Sequence, residues 1–176
     1  GVLTPGMGAV SSTFIAGVEA VRCGLGLPIG SVTQMAHIRL GRRTENRQPL
    51  IRDFVPLARL EDLVFGGWDI FPDSVYQSCM AAGVLEPALV EGLRPALESI
   101  RPMPAVFDNY YVKNLDGPNV KRGANKMELA EAIAQDMRDF RARTGCDRLV
   151  MVWCGSTEIF LARSAVHQSV ESFERG

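Results

Sequence analysis

The sequence carries two histidines and four cysteines in 176 residues, and neither type is arranged to hold a metal. Cys23, Cys79, Cys146 and Cys154 are far apart and form no CxxC pair, which excludes a zinc site of the usual spacing. No histidine is placed to activate Cys154 as a nucleophile, and His37 and His167 stand in no motif, so they are read as structural or solvated. The cysteines read as reduced thiols of a cytoplasmic protein, most of them packing residues. A charge excess is missing as well. Lys+Arg is 19 against 20 Asp+Glu, a net charge of -1, which argues against a chain built to coat nucleic acid or an anionic membrane. No apolar run reaches the roughly 20 residues of a membrane helix. Gly1 to Gly8 lacks the basic start and long apolar stretch of a signal peptide. There is no internal repeat and no low-complexity linker. The first strand begins almost at once, without an initiator Met, and the last helix-like stretch stops at Gly176 without a cap. Residues 1–176 are therefore expected to be one domain, cut at both ends from a longer protein.

What is present is a chain 47% hydrophobic, long enough for one ordinary core. Val2-Leu3-Thr4 reads as a short buried strand, and Pro5 to Gly8 as a turn. Phe14, Ile15, Val18, Val21 and Leu25 then recur at helical spacing over Val10 to Leu25. Ile29 to Met35 is a candidate strand, and the basic stretch 39–52 a solvated loop. Leu63-Val64-Phe65 predicts a strand ending at Gly66-Gly67-Trp68-Asp69, followed by a helix with Pro72 in its first turn and an end near Gly83. A helix is predicted over Pro87 to Ile100 and a strand at Ala105-Val106-Phe107. Asn125 with Glu128 three residues on reads as a capping box. Leu129, Ile133, Met137 and Phe140 give that helix its core stripe, and Gly145 ends it. Leu149 to Trp153 is an apolar run suited to a strand buried on both faces. Strands alternating with helices predict an α/β fold: a Rossmann-like, doubly wound parallel sheet.

Two segments carry chemistry. Gly6-Met7-Gly8-Ala9-Val10-Ser11 lies between strand and helix and approximates a dinucleotide fingerprint, with Ser11 in place of the third glycine. Gly6 permits the tight turn, Gly8 lets a pyrophosphate approach the backbone, and the helix start supplies N–H groups. Ser11, Ser12 and Thr13 add hydroxyls. The alternative is a bare strand–turn–helix corner. The usual ribose-gripping acid about 20 residues on is missing, since Glu19 falls within the helix. Asp69 either does that work from another strand end or is a turn or cap residue. Cys154-Gly155-Ser156-Thr157 follows a strand's carboxyl end, where open α/β sheets bind ligands. Its small residues allow a flat ring to approach closely. The bland reading is a βα turn.

The segments VLTPGMGAVSSTFIAGVEAVR, GSVTQMAHIRLGRRTENRQPLIRDFVPLA, DLVFGGWDIFPD, GVLEPAL and MELAEAIAQDMRDFRARTGCDRLVMVWCGSTE resemble, in that order, the myo-inositol-1-phosphate synthase family. The likeness covers nearly the whole chain. It implies an enzyme that converts glucose 6-phosphate to an inositol phosphate, with a bound NAD regenerated each turnover. It places the family's NAD loop on Gly6 to Ser12 (Gly6, Met7, Gly8, Ala9, Val10, Ser11 and Ser12), its dinucleotide-contacting aspartate on Asp69, and its strand end facing the cofactor on Cys154, Gly155, Ser156 and Thr157. Where many eukaryotic members have Asn-Asn and Thr-Ala-Asn-Thr, this sequence has Ala9-Val10 and Cys154 to Thr157, which suggests a bacterial-type branch. The family's catalytic lysines belong to a later domain. Lys113, Lys121 and Lys126 match none of its motifs, so no catalytic residue and no metal ligand is expected in this chain. The implied partners are glucose 6-phosphate and, for the full-length protein, further copies of itself. Two other readings stand beside this one: an NAD-dependent dehydrogenase of a small hydroxy compound, and a non-catalytic nucleotide-binding module.

Overall fold

The computed structural model describes residues 1–110, 112, 115–155 and 163–175. In chain order the elements are β1 (Val2–Pro5), α1 (Ala9–Arg22), α2 (Val32–Met35), α3 (Ile51–Phe54), β2 (Phe65–Asp69), α4 (Val75–Ala82), α5 (Pro87–Gly92), α6 (Arg94–Ser99), β3 (Met103–Pro104), α7 (Lys126–Thr144), β4 (Val150–Met151) and α8 (Val170–Arg175). The four strands form one sheet in the order β3-β2-β1-β4, and every pairing is parallel.

Alternation along the strands builds two cores, because successive side chains point to opposite faces. Val2 packs on one face among Met7, Ile15 and Val18 of the α1 region, Val75 and Cys79 of α4, and Val90, Leu93 and Leu97. Leu3 packs on the other, with Trp68, Ile70, Ala105 and Phe140 of α7, backed by Ile133 and Met137. Ile15, Val75, Val90 and Leu97 are fully buried, and burying each such side chain is worth about 1.5–3 kcal/mol. Helices therefore cover both faces: α1 and α4 to α6 on one, α7 on the other. The chain leaves β1 toward β2 over the first face and reaches β4 over the second. The order thus reverses between β1 and β4, and a crevice opens at their carboxyl ends.

Several sequence expectations shift. Gly66 and Gly67 lie inside β2. Glycine is a poor strand former in general, but a Cβ at Gly66 would stand 2.6 Å from the Phe140 ring, and one at Gly67 would overlap the Thr4 carbonyl. Close approach of α7 and β1 demands glycine here, and Asp69 is left as the last strand residue. Pro72 stays outside α4, whose cap is Ser74. Its hydroxyl accepts from the Gln77 N–H and the Gln77 side chain accepts from the Ser74 N–H, a complete capping box. The helix expected over 87–100 breaks at Leu93 into α5 and α6, since Pro95 has no N–H with which to continue the ladder. The third strand falls at Met103–Pro104, and Ala105 bridges instead to Val120.

Ile29 to Met35 forms no strand. It holds the single turn of α2 in an excursion between α1 and β2, with Ile29 78% exposed, so its β-branched residues have no sheet to join. β4 is correctly placed, and its hydrogen bonds run on past Met151: the Val152 N–H donates to Leu3 and the Cys154 N–H to Pro5, each at 2.9 Å. Burial on both faces is the part that fails. β4 pairs only with β1 among the described residues, and Val150 to Trp153 are all exposed, Trp153 by 67%.

Candidate functional site

The carboxyl ends of β1, β2 and β4 meet around Gly6. This residue has φ +87°, and a Cβ on it would lie 2.8 Å from the Cys154 carbonyl oxygen. Both facts call for glycine. The Gly6 N–H donates to Trp68 O at 2.8 Å, so the turn leaves β1 locked to β2. Cys154 and Gly155 thus lie directly against the glycine turn. Ser156 and Thr157 lie outside the described residues.

Met7 turns its side chain into the core and its N–H toward Asp69, donating to Oδ2 at 2.6 Å. The other Asp69 oxygen, Oδ1, accepts from the Phe71 N–H at 3.0 Å. Within the structural alternative for Asp69, turn or cap, the geometry is that of a turn, because Ser74 caps α4. It also does more than close a turn: it ties the end of β2 to the glycine turn of β1. A carboxylate has about four acceptor positions, and these two bonds use half of them.

Gly8 has no atom within 4 Å of where its Cβ would be, and its φ of -79° is open to any residue. No neighbouring atom requires glycine there, and the free space in front of it is the feature that glycine preserves. Gly8 is the N-cap of α1 and supplies no capping side chain. The first bond of the helix is Ser12 N–H to Gly8 O, so the N–H groups of Ala9, Val10 and Ser11 are among the donors that a helix start leaves unpaired. The hydroxyls behave differently from expectation. Ser11 and Ser12 are fully buried. Ser12 Oγ donates to Ala9 O, and Ser11 Oγ has no hydrogen-bond partner. What this segment presents outward is backbone N–H.

A cleft of about 360 Å³ opens beside this turn, lined among others by Gly8, Ala9, Asp69, Phe71, Asp73 and Gln77. Its size lies within the usual range of small-molecule sites. Phe71 and Asp73 were not singled out from the sequence, although the run after Asp69 was the signal that would have pointed to them. A larger hollow, about 460 Å³, lies at the other end of the sheet beside Arg22, Arg101 and Arg143. The carboxyl ends of α1 and α7 converge there. Arginines suit those ends, and Arg22 is already committed to Leu60 O, Leu63 O and Glu19. That hollow offers no row of amides to an anion.

Cys79 hydrogen-bonds to Ser12 O at 3.4 Å inside the core, and burial pushes its thiol pKa up. It is a packing residue and not a nucleophile. No group of three or more metal-ligating side chains occurs among the described residues. No helix among them is long and apolar enough to cross a membrane.

This geometry agrees with the comparisons. The NAD-binding family model described as myo-inositol-1-phosphate synthase matches residues 1–176. Inositol-3-phosphate synthase 1 of Bacteroides thetaiotaomicron is 46% identical over 176 residues, which cover 99% of this chain and 40% of that protein. Inositol-3-phosphate synthase isozyme 1 of Arabidopsis thaliana is 32% identical over 90% of this chain and 34% of its own length. The crystal structure of the Caenorhabditis elegans inositol-3-phosphate synthase superposes with a TM-score of 0.82 at 28% identity, covering 99% of this chain and 38% of that one. This chain spans about two fifths or less of the length of these relatives. Sequence and fold agree, and the chain belongs to the myo-inositol-1-phosphate synthase family.

Proposed function

We propose that this chain is the NAD-binding portion of an inositol-3-phosphate synthase, which converts D-glucose 6-phosphate to 1D-myo-inositol 3-phosphate. On this reading residues 1–176 are one dinucleotide domain. The lysine-bearing catalytic groups and the substrate-phosphate site belong to the part of the relatives that this chain does not span. The observation that carries the reading is the start of α1: an uncapped helix with open space in front of Gly8, at the crevice where the strand order reverses.

The residues fit the cofactor. The N–H groups of Ala9, Val10 and Ser11, with the α1 dipole behind them, hold the pyrophosphate. Gly6 and Gly8 let it come close, Met7 anchors the turn, and Ser12 closes the first helical bond. Asp69 uses its remaining acceptor positions for ribose hydroxyls, and its charge disfavours a 2′-phosphate. Cys154 and Gly155 form the small-residue wall beside the ring, and the resemblance assigns Ser156 and Thr157 to the same cofactor-facing segment. NAD supplies the oxidation and later reduction of a sugar carbon, while the chain binds and orients it. Assembly with further copies, a cytoplasmic location and supply of inositol for phospholipids belong to the same proposal. The location is supported by four unpaired cysteines, one of them exposed.

The test is Gly8→Val in the full-length protein. The branched side chain fills the open space, and NAD affinity should fall by about 100-fold, equivalent to about 2.8 kcal/mol. The melting temperature should stay close to that of the parent, since nothing in the fold touches that position. NAD held as tightly as by the parent defeats the reading.

A further inference from the structure

The ends of β2 and β3 are not joined by the ladder alone. The last pair in register is Asp69 with Pro104. The next donor on the β3 side, the Ala105 N–H, does not turn to β2 but donates to Asn119 O at 2.9 Å. Asn119 stands between the two strand ends. Its own N–H donates to Ile70 O at 2.8 Å, and its side-chain Nδ2 donates to Asp69 O at 2.9 Å. The segment that carries it is held on both sides. Before Asn119, a Cβ on Gly117 would overlap the Ile70 carbonyl, so the strap crosses β2 at backbone contact distance. After it, the Lys121 N–H donates to Ala105 O at 2.8 Å. Lys121 Nζ pairs with Asp136 of α7 at 2.8 Å, and the same Asp136 oxygen accepts from Trp68 Nε1 at 2.7 Å. Trp68 is the neighbour of Asp69. Residues 115–121 therefore form a strap anchored to α7 that holds the end of β2 through Asn119, whose side-chain amide bonds to Asp69 and whose backbone N–H bonds to Ile70.

We propose that Asn119 is a positioning residue of the cofactor site. It fixes the Asp69 backbone, so that the carboxylate stays on the Met7 N–H and keeps its free acceptor positions turned to the cleft. This deepens the NAD-binding reading above and rests on it for the identity of the ligand. Asn119 itself touches no cofactor on this account, so its effect must pass through Asp69.

A double-mutant cycle in the full-length protein tests this. NAD dissociation constants are measured by titration calorimetry for the parent, Asn119→Ala, Asp69→Ala and the double variant. Amide hydrogen exchange at Met7 is followed without cofactor. We expect Asn119→Ala to weaken NAD about 10-fold in the parent background and less than about 2-fold on top of Asp69→Ala. Exchange at Met7 should quicken in Asn119→Ala as the carboxylate loses its hold. Asn119→Asp keeps the shape and the backbone bonds but removes the donor, and it should behave as Asn119→Ala does. An undiminished 10-fold loss in the Asp69→Ala background, or affinity within 2-fold of the parent, overturns the proposal. So does unfolding of both Asn119 variants, which assigns the residue to the fold alone. If the parent itself binds no NAD, the cofactor reading falls, while Met7 exchange still decides whether Asn119 governs the Asp69 tie.

Discussion

Helices α1 and α7 begin in opposite ways. At α7, Asn125 Oδ1 accepts from the Glu128 N–H at 2.9 Å, and the Glu128 carboxylate reaches back to the Ala124 N–H at 2.8 Å. At α4, Ser74 and Gln77 exchange a full capping box. Each of these starts is satisfied by the chain's own side chains. At α1 the capping position is Gly8, which brings none. The nearby carboxylate of Asp69 goes to Met7, outside the helix. Among the helices of eight residues or more, α4 and α7 are capped by side chains and α1 is left bare, which withholds a few tenths of a kcal/mol. Of these three, the bare start is the one at the reversal of strand order, where the proposed dinucleotide site needs free amides.

The sharpest way to break this contrast is to give α1 the cap that its neighbours have. Gly8→Asp should supply an acceptor for the first-turn amides and stabilise the fold by a few tenths of a kcal/mol. It should also cost NAD about 100-fold or more in affinity, because the carboxylate occupies the donors and repels the pyrophosphate. Urea unfolding and calorimetric titration should thus move in opposite directions. A variant that gains stability and keeps its cofactor would remove the meaning of the bare start.

The second test separates the two glycines of the turn. Gly6→Ala forces a side chain onto φ +87° against Cys154. The strained backbone alone costs about 1–3 kcal/mol, and the overlap adds to it. The loss should appear in urea unfolding even without NAD, unlike that of Gly8→Val. Equal stability of the two variants would show that the division between a fold glycine and a ligand glycine is wrong. The smallest effect is expected at the capped helix. Asn125→Ala should lower stability by about 1 kcal/mol and leave NAD affinity within 2-fold, as the α7 start does not line the cleft beside Gly8. A larger change in NAD binding would place α7 in the site.

The sequence made the first unit legible because its signals are local. Gly6 and Gly8 mark the turn, and Ile15 and Val18 mark the buried face of α1. Asn125 and Gly145 bracket α7 correctly for the same reason, and apolar Leu149 to Trp153 announced β4. The errors have a common cause in partners distant along the chain. Gly66 and Gly67 looked like a strand end because the ring of Phe140 and the backbone of Thr4, which require them, lie far away. Ile29 to Met35 has the composition of a strand and no neighbour to pair with. Val150 to Trp153 has the composition of a doubly buried strand, but among the described residues it pairs only with β1 and its side chains stay exposed. Pro72 drew the start of α4 forward although Ser74, with Gln77 three residues on, carried the better signal. At the site, Asp69 was picked out for a ligand, while its bond to Met7 could not be seen before the turn and the strand end were brought together. Asn119 gave no sign beyond its place in a Gly-Pro-Asn turn, since its role depends on Asp69, Ile70 and Ala105 arriving around it.

The central place of β1 also governs how this domain comes into being on the ribosome. β1 is made before the other three strands, yet Val2 pairs with Val150, about 150 residues later. At synthesis rates of 5–20 residues per second, that is roughly 7–30 s during which the far edge of β1 stands open, roughly the last 4–16 s of it with β2 already made. During that interval the nascent chain is exposed to mispairing at the same edge whose carboxyl end later builds the crevice. A pause or slow codon run between α7 and β4 would lengthen the exposure, and one after β4 would not.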